Sequence, residues 1–334
     1  MLSFFKIEIF FRFTLLICFA LASSSAHAAS KAHATKAASN APATIDMILQ
    51  QVSEHVYYVQ GKAGVATDNQ GFISNASAVI TDDGIVLVDS LGTPALAELF
   101  LQKIKKVSSQ PVVKVIVTHY HADHIYGLQV FKKLGAQIIA PAGYLDYLDS
   151  PSATNRLEER RVSLYPWVNE STHLLKADKV IDSNESFSLG GIQFDLNFLG
   201  TAHSDGDLSV LIKPDQVLIS GDLIFEGRVP FTGSADTAHW LALLNNLKHT
   251  KLIALIPGHG GAAKNPDKAI QLTQRYLQKL RSVMKNAVDE LMSFDEAFSA
   301  ADWSEFSDLP AYKQAHRKNA YGVFLSMEQE LLNQ

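Results

Sequence analysis

An apolar run, Val112 to Val117, ends directly on Thr118-His119-Tyr120-His121-Ala122-Asp123-His124. The run reads as a buried strand, so three imidazoles and one carboxylate arrive together at a strand end. Three His that close together cannot all be satisfied core residues, whereas a strand end can splay them around a cation. Imidazole with carboxylate suits zinc, iron or manganese. The segment marks a metal site.

Three other positions repeat the pattern of a metal-capable residue just after a strand. His203 follows the alternating stretch Ile192 to Phe198, in Gly200-Thr201-Ala202-His203. Asp222 follows Val217 to Ile219, in Ser220-Gly221-Asp222, and His259 follows Leu252 to Ile256, in Pro257-Gly258-His259-Gly260. Glycines beside these positions let the backbone approach closely. Strand ends converging on one edge of a sandwich would gather all seven groups.

The intervening chain supports such a sandwich. Val56 to Val59 reads as a strand, and Ala78 to Thr81 and Ile85 to Val88 flank Asp82-Asp83-Gly84, a hairpin signal. Pro94 to about Val107 reads as a helix with Thr93 as N-cap and Pro94 at its first position. A short helix from Leu128 to Leu134 stops at Gly135, before a strand from Ala136 to Ala140. Ser150 to Asn169 has helical character without clear ends, and Leu208 to Ile212 is a further strand. From Pro266, residues Ile270, Leu277, Leu280, Met284 and Val288 recur at helical spacing, opening two or three helices that run through Leu332. Short strands followed by helices in both halves suggest two packed sheets with helices outside. A doubly wound parallel sheet is the alternative, and the hairpin argues against it.

The N-terminus is set aside from the fold. Lys6 and Arg12, the apolar run Phe13 to Ala22, and Ala26-His27-Ala28 make the three parts of a secretory signal peptide over 1–28. The run is shorter than the roughly 20 residues a membrane span needs, which disfavours an uncleaved anchor. Cys18 lacks the neighbours of a lipid-attachment site. Residues 29–43, rich in Ala, Ser, Thr and Lys, read as a disordered linker. Cleavage after Ala28 leaves no cysteine, since Cys18 is the single one, so metal ligands must be nitrogen and oxygen. Without Lys6, Arg12 and Glu8, the mature chain holds 27 basic and 33 acidic residues. That balance and the lack of a basic run argue against nucleic acid.

The H-x-H-x-D-H run, a lone His, a lone Asp and a His in a P-G-H-G turn resemble the metallo-β-lactamase superfamily over roughly Val56 to His259. The resemblance implies a four-layer αβ/βα sandwich with the site at one edge of the paired sheets. It implies a catalytic domain over 44–265 and a helical extension over 266–334 packed on the same domain. Carried over residue by residue, His119, His121 and His203 would bind a first metal, and Asp123, His124 and His259 a second. Asp222 would bridge the two, offsetting their repulsion. Asp89, in Val88-Asp89-Ser90, matches a position that accepts an N–H from a ligand His; capping of the next element is the other reading. The implied cofactor is two zinc ions, with iron or manganese as alternatives.

The implied reaction is hydrolysis, in which a metal-bridging hydroxide attacks a carbonyl of a β-lactam, lactone or thioester, with Asp123 orienting the nucleophile or moving a proton. Common class-B β-lactamases carry Cys where this chain has Asp222 and lack a counterpart of His124. The seven-ligand set looks more like that of glyoxalase II. The P-G-H-G turn and the His316-Arg317-Lys318-Asn319 tail look like exported hydrolases grouped near class-B β-lactamases, so a periplasmic or secreted enzyme acting on a small molecule is expected. The alternatives are a mononuclear iron enzyme like the persulfide dioxygenases, or a non-catalytic accessory metal protein of a quinoprotein or sulfur-oxidation system. Gly61 to Gly71 resembles the mobile flap of class-B β-lactamases, with a plain loop as the other reading; Arg228 to Ser234 would line the opposite wall. Arg156, Arg160 and Arg161 read as a solvated helix face or an anion site. His55, His173, His239, His249 and His316 read as surface or structural.

Overall fold

The structure is a computed structural model that describes residues 41–247 and 251–333. The signal-peptide reading over 1–28 with Cys18, most of the linker, and His249 lie outside the described residues.

Seven strands lie side by side in chain order to form the first sheet. They are β1 (Leu49–Gln51), β2 (Val56–Val59), β3 (Ala76–Thr81), β4 (Gly84–Val88), β5 (Val112–Ile116), β6 (Gln137–Pro141) and β7 (Lys179–Ile181). Helices α1 (Pro94–Ile104), α2 (Ala122–Ile125), α3 (Leu128–Lys133), α4 (Tyr144–Leu148) and α5 (Pro151–Ser163) fall between its later strands. The second sheet holds β8 (Glu185–Leu189), β9 (Ile192–Gly200), β10 (Asp207–Lys213), β11 (Val217–Phe225) and β12 (Ala254–His259), adjacent in that order. Helices α6 (Thr237–Asn246), α7 (Pro266–Asp289), α8 (Phe294–Ala300) and α9 (Tyr312–Leu332) complete the chain.

Both sheets are mixed. The β3–β4 hairpin pairs Thr81 with Gly84 across a two-residue turn, as the Asp82-Asp83-Gly84 signal implies. From β4 to β7 the pairing is parallel, because α1, then α2 and α3, then α4 and α5 carry the chain back across the sheet between strands. In the second sheet β8 to β11 are antiparallel and β11–β12 parallel.

Alternation decides which face each strand buries. Ile192, Phe194 and Leu196 of β9, with Val210 of β10 and Ile256 of β12, point inward and meet Val79, Val86 and Ile116 of the first sheet. On the first sheet's outer face, Leu96, Phe100 and Ile104 of α1 and Phe131 of α3 cover Leu87, Val115 and Ile138. On the second sheet's outer face, Trp240 of α6 and Ile270 and Leu277 of α7 cover Leu218 and Leu255. Each such side chain contributes about 1.5–3 kcal/mol on burial. The result is the helix–sheet–sheet–helix sandwich. A further core, with Leu280 and Met284 of α7 against Val323, Phe324 and Met327 of α9, joins the last helices to it. No helix among the described residues is long and apolar enough to cross a membrane.

Several boundaries differ from the sequence reading. Strand β11 does not end at Ile219 but runs to Phe225, so Asp222 lies inside the strand. Gly221 causes this: its φ of 52° bulges the strand, the β11–β12 register slips on either side of it, and the apolar run resumes at Leu223. Strand β12 likewise continues through Pro257 and Gly258 to His259. Helix α1 stops at Ile104, and the ill-defined 150–169 stretch is α5 followed by turns. Strands β1, β7 and β8 and helices α2, α4 and α6 had no distinct signal.

Candidate metal centre

All seven groups meet at one edge of the paired sheets. His119 and His121 follow β5, while Asp123 and His124 sit on the single turn of α2. His203 lies in the β9–β10 connection, Asp222 at the β11 bulge and His259 at the end of β12. Every one except His121 and Asp123 is fully buried.

Their polar atoms fall into two groups that could each hold an ion: His119, His121, His203 and Asp222, and Asp123, His124 and His259. In the first, His121 Nδ1 lies 3.0 Å from His119 Nε2 and 3.0 Å from His203 Nε2. In the second, His259 Nε2 is 3.3 Å from Asp123 Oδ2, and His124 Nε2 is 3.6 Å from the same oxygen. Asp222 reaches both groups: Oδ2 is 3.2 Å from His203 Nε2 and 3.3 Å from His259 Nε2, and Oδ1 is 3.4 Å from His124 Nε2.

Hydrogen bonds behind the site determine which ring nitrogens face inward. Asp89 Oδ1 accepts from the Thr118 amide at 2.8 Å, and Oδ2 from the Thr118 hydroxyl at 2.8 Å and from His124 Nδ1 at 2.8 Å. Because the Thr118 proton is given to Asp89, Thr118 Oγ1 can only accept from His119 Nδ1, 3.1 Å away. His259 Nδ1 donates to the Ile73 carbonyl at 2.7 Å. Each of these rings therefore turns an unprotonated Nε2 toward the centre, the arrangement that orients ligand imidazoles. His203 is held by its edge contact with the Trp240 ring, 5.2 Å away.

The electrostatics ask for a cation. Burial pushes the His119 imidazole below its ordinary range and, with His203 beside it, takes His121 down to about 3. Burial pushes the Asp123 and Asp222 carboxyls up, yet neighbouring imidazoles outweigh it and hold both low. His124 and His259 move up against their own burial because Asp89 and Asp222 face them. One ring nitrogen, His121 Nδ1, lies 3.0 Å from two others, and His124 Nε2 and Asp222 Oδ1 are buried without a hydrogen-bond partner; metal ions between these atoms would satisfy them.

Residues without a sequence signal complete the frame. The buried Asn75 donates to the Pro257 and Gly260 carbonyls at 2.8 and 2.9 Å and accepts from the Gly61 amide at 3.0 Å, tying the start of β3 to the turn that carries His259. Ser90 Oγ donates to the His124 carbonyl at 2.8 Å and Ser74 Oγ to that of Asp123 at 2.5 Å. Asp207 accepts from the Ala202 and Ser204 amides and the Ser204 hydroxyl, bracing the loop of His203, although burial pushes its carboxyl up to about 6. Gly258 admits no side chain, since a Cβ there would lie 1.8 Å from Asp222 Oδ1.

A cavity of about 400 Å³ opens beside His121. Tyr120 and Tyr147, stacked at 4.1 Å, line it together with Arg156, Asp146, Asp205 and Ser234, while Arg228 at the start of the 228–234 segment does not. Arg156 therefore stands at the cavity, while Arg161 donates to the Asn169 and Thr172 carbonyls and fastens its own loop. The 61–71 segment links β2 to β3 through a 3-10 turn over Ala66–Asn69, with Ala66 and Phe72 buried in the first sheet's outer core. Of the remaining His, His55 bonds Asp215, His173 the Ser171 carbonyl, His239 the Thr201 carbonyl and the buried His316 the Tyr276 hydroxyl.

A family model described as the metallo-beta-lactamase superfamily matches residues 69–263. Metallo-beta-lactamase IND-1 of Chryseobacterium indologenes is 26% identical over 210 residues, covering 61% of this chain and 77% of that protein. A solved metallo-beta-lactamase from Pontibacter korlensis shares the fold with a TM-score of 0.57 at 20% identity, covering 70% of this chain and 99% of that one. The stereoselective inverting sec-alkylsulfatase Pisa1 from Pseudomonas sp. gives a TM-score of 0.65 at 16% identity, over 84% of this chain and 50% of that one. At those identities the two structures speak for the fold.

Proposed function

Since the chain belongs to the metallo-beta-lactamase superfamily, we propose that it is an exported binuclear metallohydrolase that opens a carbonyl substrate of the β-lactam, lactone or thioester class. His119, His121 and His203 would hold one ion and Asp123, His124 and His259 the other, with Asp222 within reach of both groups. The observation that carries this reading is the pair of contacts at His121 Nδ1, 3.0 Å from each of two other imidazole nitrogens, which a proton shared among them cannot satisfy. Two zinc ions would supply an activated water and an electrophile for the substrate oxygen.

The chain's own residues do the rest. Asp89 keeps His124 and, through Thr118, His119 in the tautomer that leaves Nε2 free. Asp123, less buried than Asp222, orients the attacking water or passes on the proton that hydrolysis releases, its Oδ2 lying between His124 and His259. The cavity beside His121 receives the substrate, with the Tyr120–Tyr147 stack as its apolar wall. The domain over 44–265 carries the chemistry and the helices over 266–334 support it, the 1–28 segment being removed on export.

The test is metal analysis of the purified mature protein, paired with turnover of nitrocefin and of a thioester. Two zinc ions per chain and hydrolysis of one of them are expected. One iron per chain with oxygen uptake on glutathione persulfide would overturn the reading. N-terminal sequencing of the protein from the periplasm should begin at Ala29.

A further inference from the structure

The 228–232 segment, which follows β11, holds a buried cation that the reading above does not use. Arg228 is 2% exposed, and its Nε and Nη2 have no hydrogen-bond partner. Its Nη1 lies 3.4 Å from His259 Nδ1, but that nitrogen already gives its proton to the Ile73 carbonyl, so two donors face each other. The rings of Phe225 and Phe231 flank the guanidinium, their centroids 6.0 and 5.2 Å away. The opposite charges it feels are those of Asp222 and Asp123. A buried charge with so few direct partners is costly, and an apolar side chain would fill the same space at lower cost.

The C-terminal helices hold this segment in place. Asn319 of α9 donates to the Pro230 carbonyl at 2.6 Å and accepts from the Thr232 amide at 3.1 Å, and it also donates to the Tyr276 hydroxyl of α7 at 2.9 Å. The Val229 amide donates to the Pro310 carbonyl at 3.0 Å. The stretch directly after Arg228 is thus pinned from outside the sandwich, which gives the helical extension a task at the metal centre.

We propose that Arg228 is a positioning residue: a fixed positive charge, clamped behind His259 by the C-terminal helices, that offsets Asp123 and Asp222 and weakens the grip of the Asp123–His124–His259 group on its ion. The proposal rests on the reading that these groups bind metal. A positive charge fixed 3.4 Å from the His259 ring would raise the free energy of a divalent ion held by that ring and favour its release.

The experiment is zinc titration against a competing chelator for the wild type, Arg228→Met and Arg228→Lys, with melting of the stripped and loaded proteins. Arg228→Met should bind its weaker zinc on the order of tenfold tighter and show a larger gain in Tm on loading, while Arg228→Lys stays near the wild type. A packing role predicts the opposite, looser binding in both variants. Unchanged or weaker binding in Arg228→Met would overturn the proposal while leaving the metal reading intact; a wild type that takes up no zinc ends both. Should Arg228→Met fail to fold, Asn319→Ala keeps the charge but frees the segment, and tighter zinc is again expected; unchanged or looser zinc would count against the clamp.

Discussion

At the scale of single residues, one carboxylate organises more of the centre than any other side chain behind it. Asp89 accepts three protons, from the Thr118 amide, the Thr118 hydroxyl and His124 Nδ1, and its backbone sits at φ 64°, a region that residues other than glycine seldom occupy. The strain is retained because that conformation aims the carboxylate into the site. Asp89→Asn keeps the size but turns an NH2 toward donors, so zinc affinity is expected to fall about 10- to 100-fold with far-UV circular dichroism unchanged. A titration showing wild-type affinity would sink this role. The metal-capable residues themselves were legible because their types are rare neighbours at strand ends. Asn75, Asp207 and Arg228 were not, since a buried polar residue is defined by partners far along the chain: Asn75 bonds carbonyls 182 and 185 positions away.

At the scale of elements, period decided what could be read. Strand β9 alternates over nine residues and α7 keeps an apolar stripe over 24, and both were evident. Strands β1 and β7 have three residues each, too few for a period, and pair only because a sheet edge is available to them. Strand β11 reads as ending at Ile219 because Ser220-Gly221-Asp222 looks like a turn, and the parallel partner β12 keeps the chain extended beyond it to Phe225. That junction is where β3 meets β12 through Asn75. Asn75→Ala removes three buried hydrogen bonds and is expected to cost about 2–4 kcal/mol in urea unfolding. Zinc uptake at the group containing His259, followed by titration, should weaken with it, because Pro257 and Gly260 flank that residue. Gly258→Ala is more severe: a methyl 1.8 Å from Asp222 Oδ1 must displace the shared carboxylate. Loss of both ions, measured by metal analysis of the folded protein, is the expected outcome, and retention of two would contradict the placement of Asp222.

At the scale of the whole molecule, the outermost core sets a limit on acid stability that is separate from the metal centre. His316 of α9 is 1% exposed and ringed by Tyr276, Phe298, Trp303 and Tyr312 at centroid distances of 4.3 to 5.8 Å. Its Nδ1 lies 3.0 Å from the Tyr276 hydroxyl. That hydroxyl accepts from Asn319 and so donates to the ring, which must be neutral to receive it. Burial accordingly takes the imidazole down to about 4, against about 6.5 in an unfolded chain. Between those values the unfolded state binds a proton that the folded state refuses, so stability falls as pH drops from about 6.5 to about 4 and is fully present above. The loss amounts to at most about 3 kcal/mol. Chemical denaturation of chelated samples at pH 7 and pH 4.5 measures it together with the contribution of His119 and His121, which burial also holds low, so the His316 share is read from a variant. His316→Gln, which accepts from Tyr276 and cannot titrate, should lose less stability over that interval than the wild type. Equal losses in the two proteins would place the acid sensitivity elsewhere in the fold.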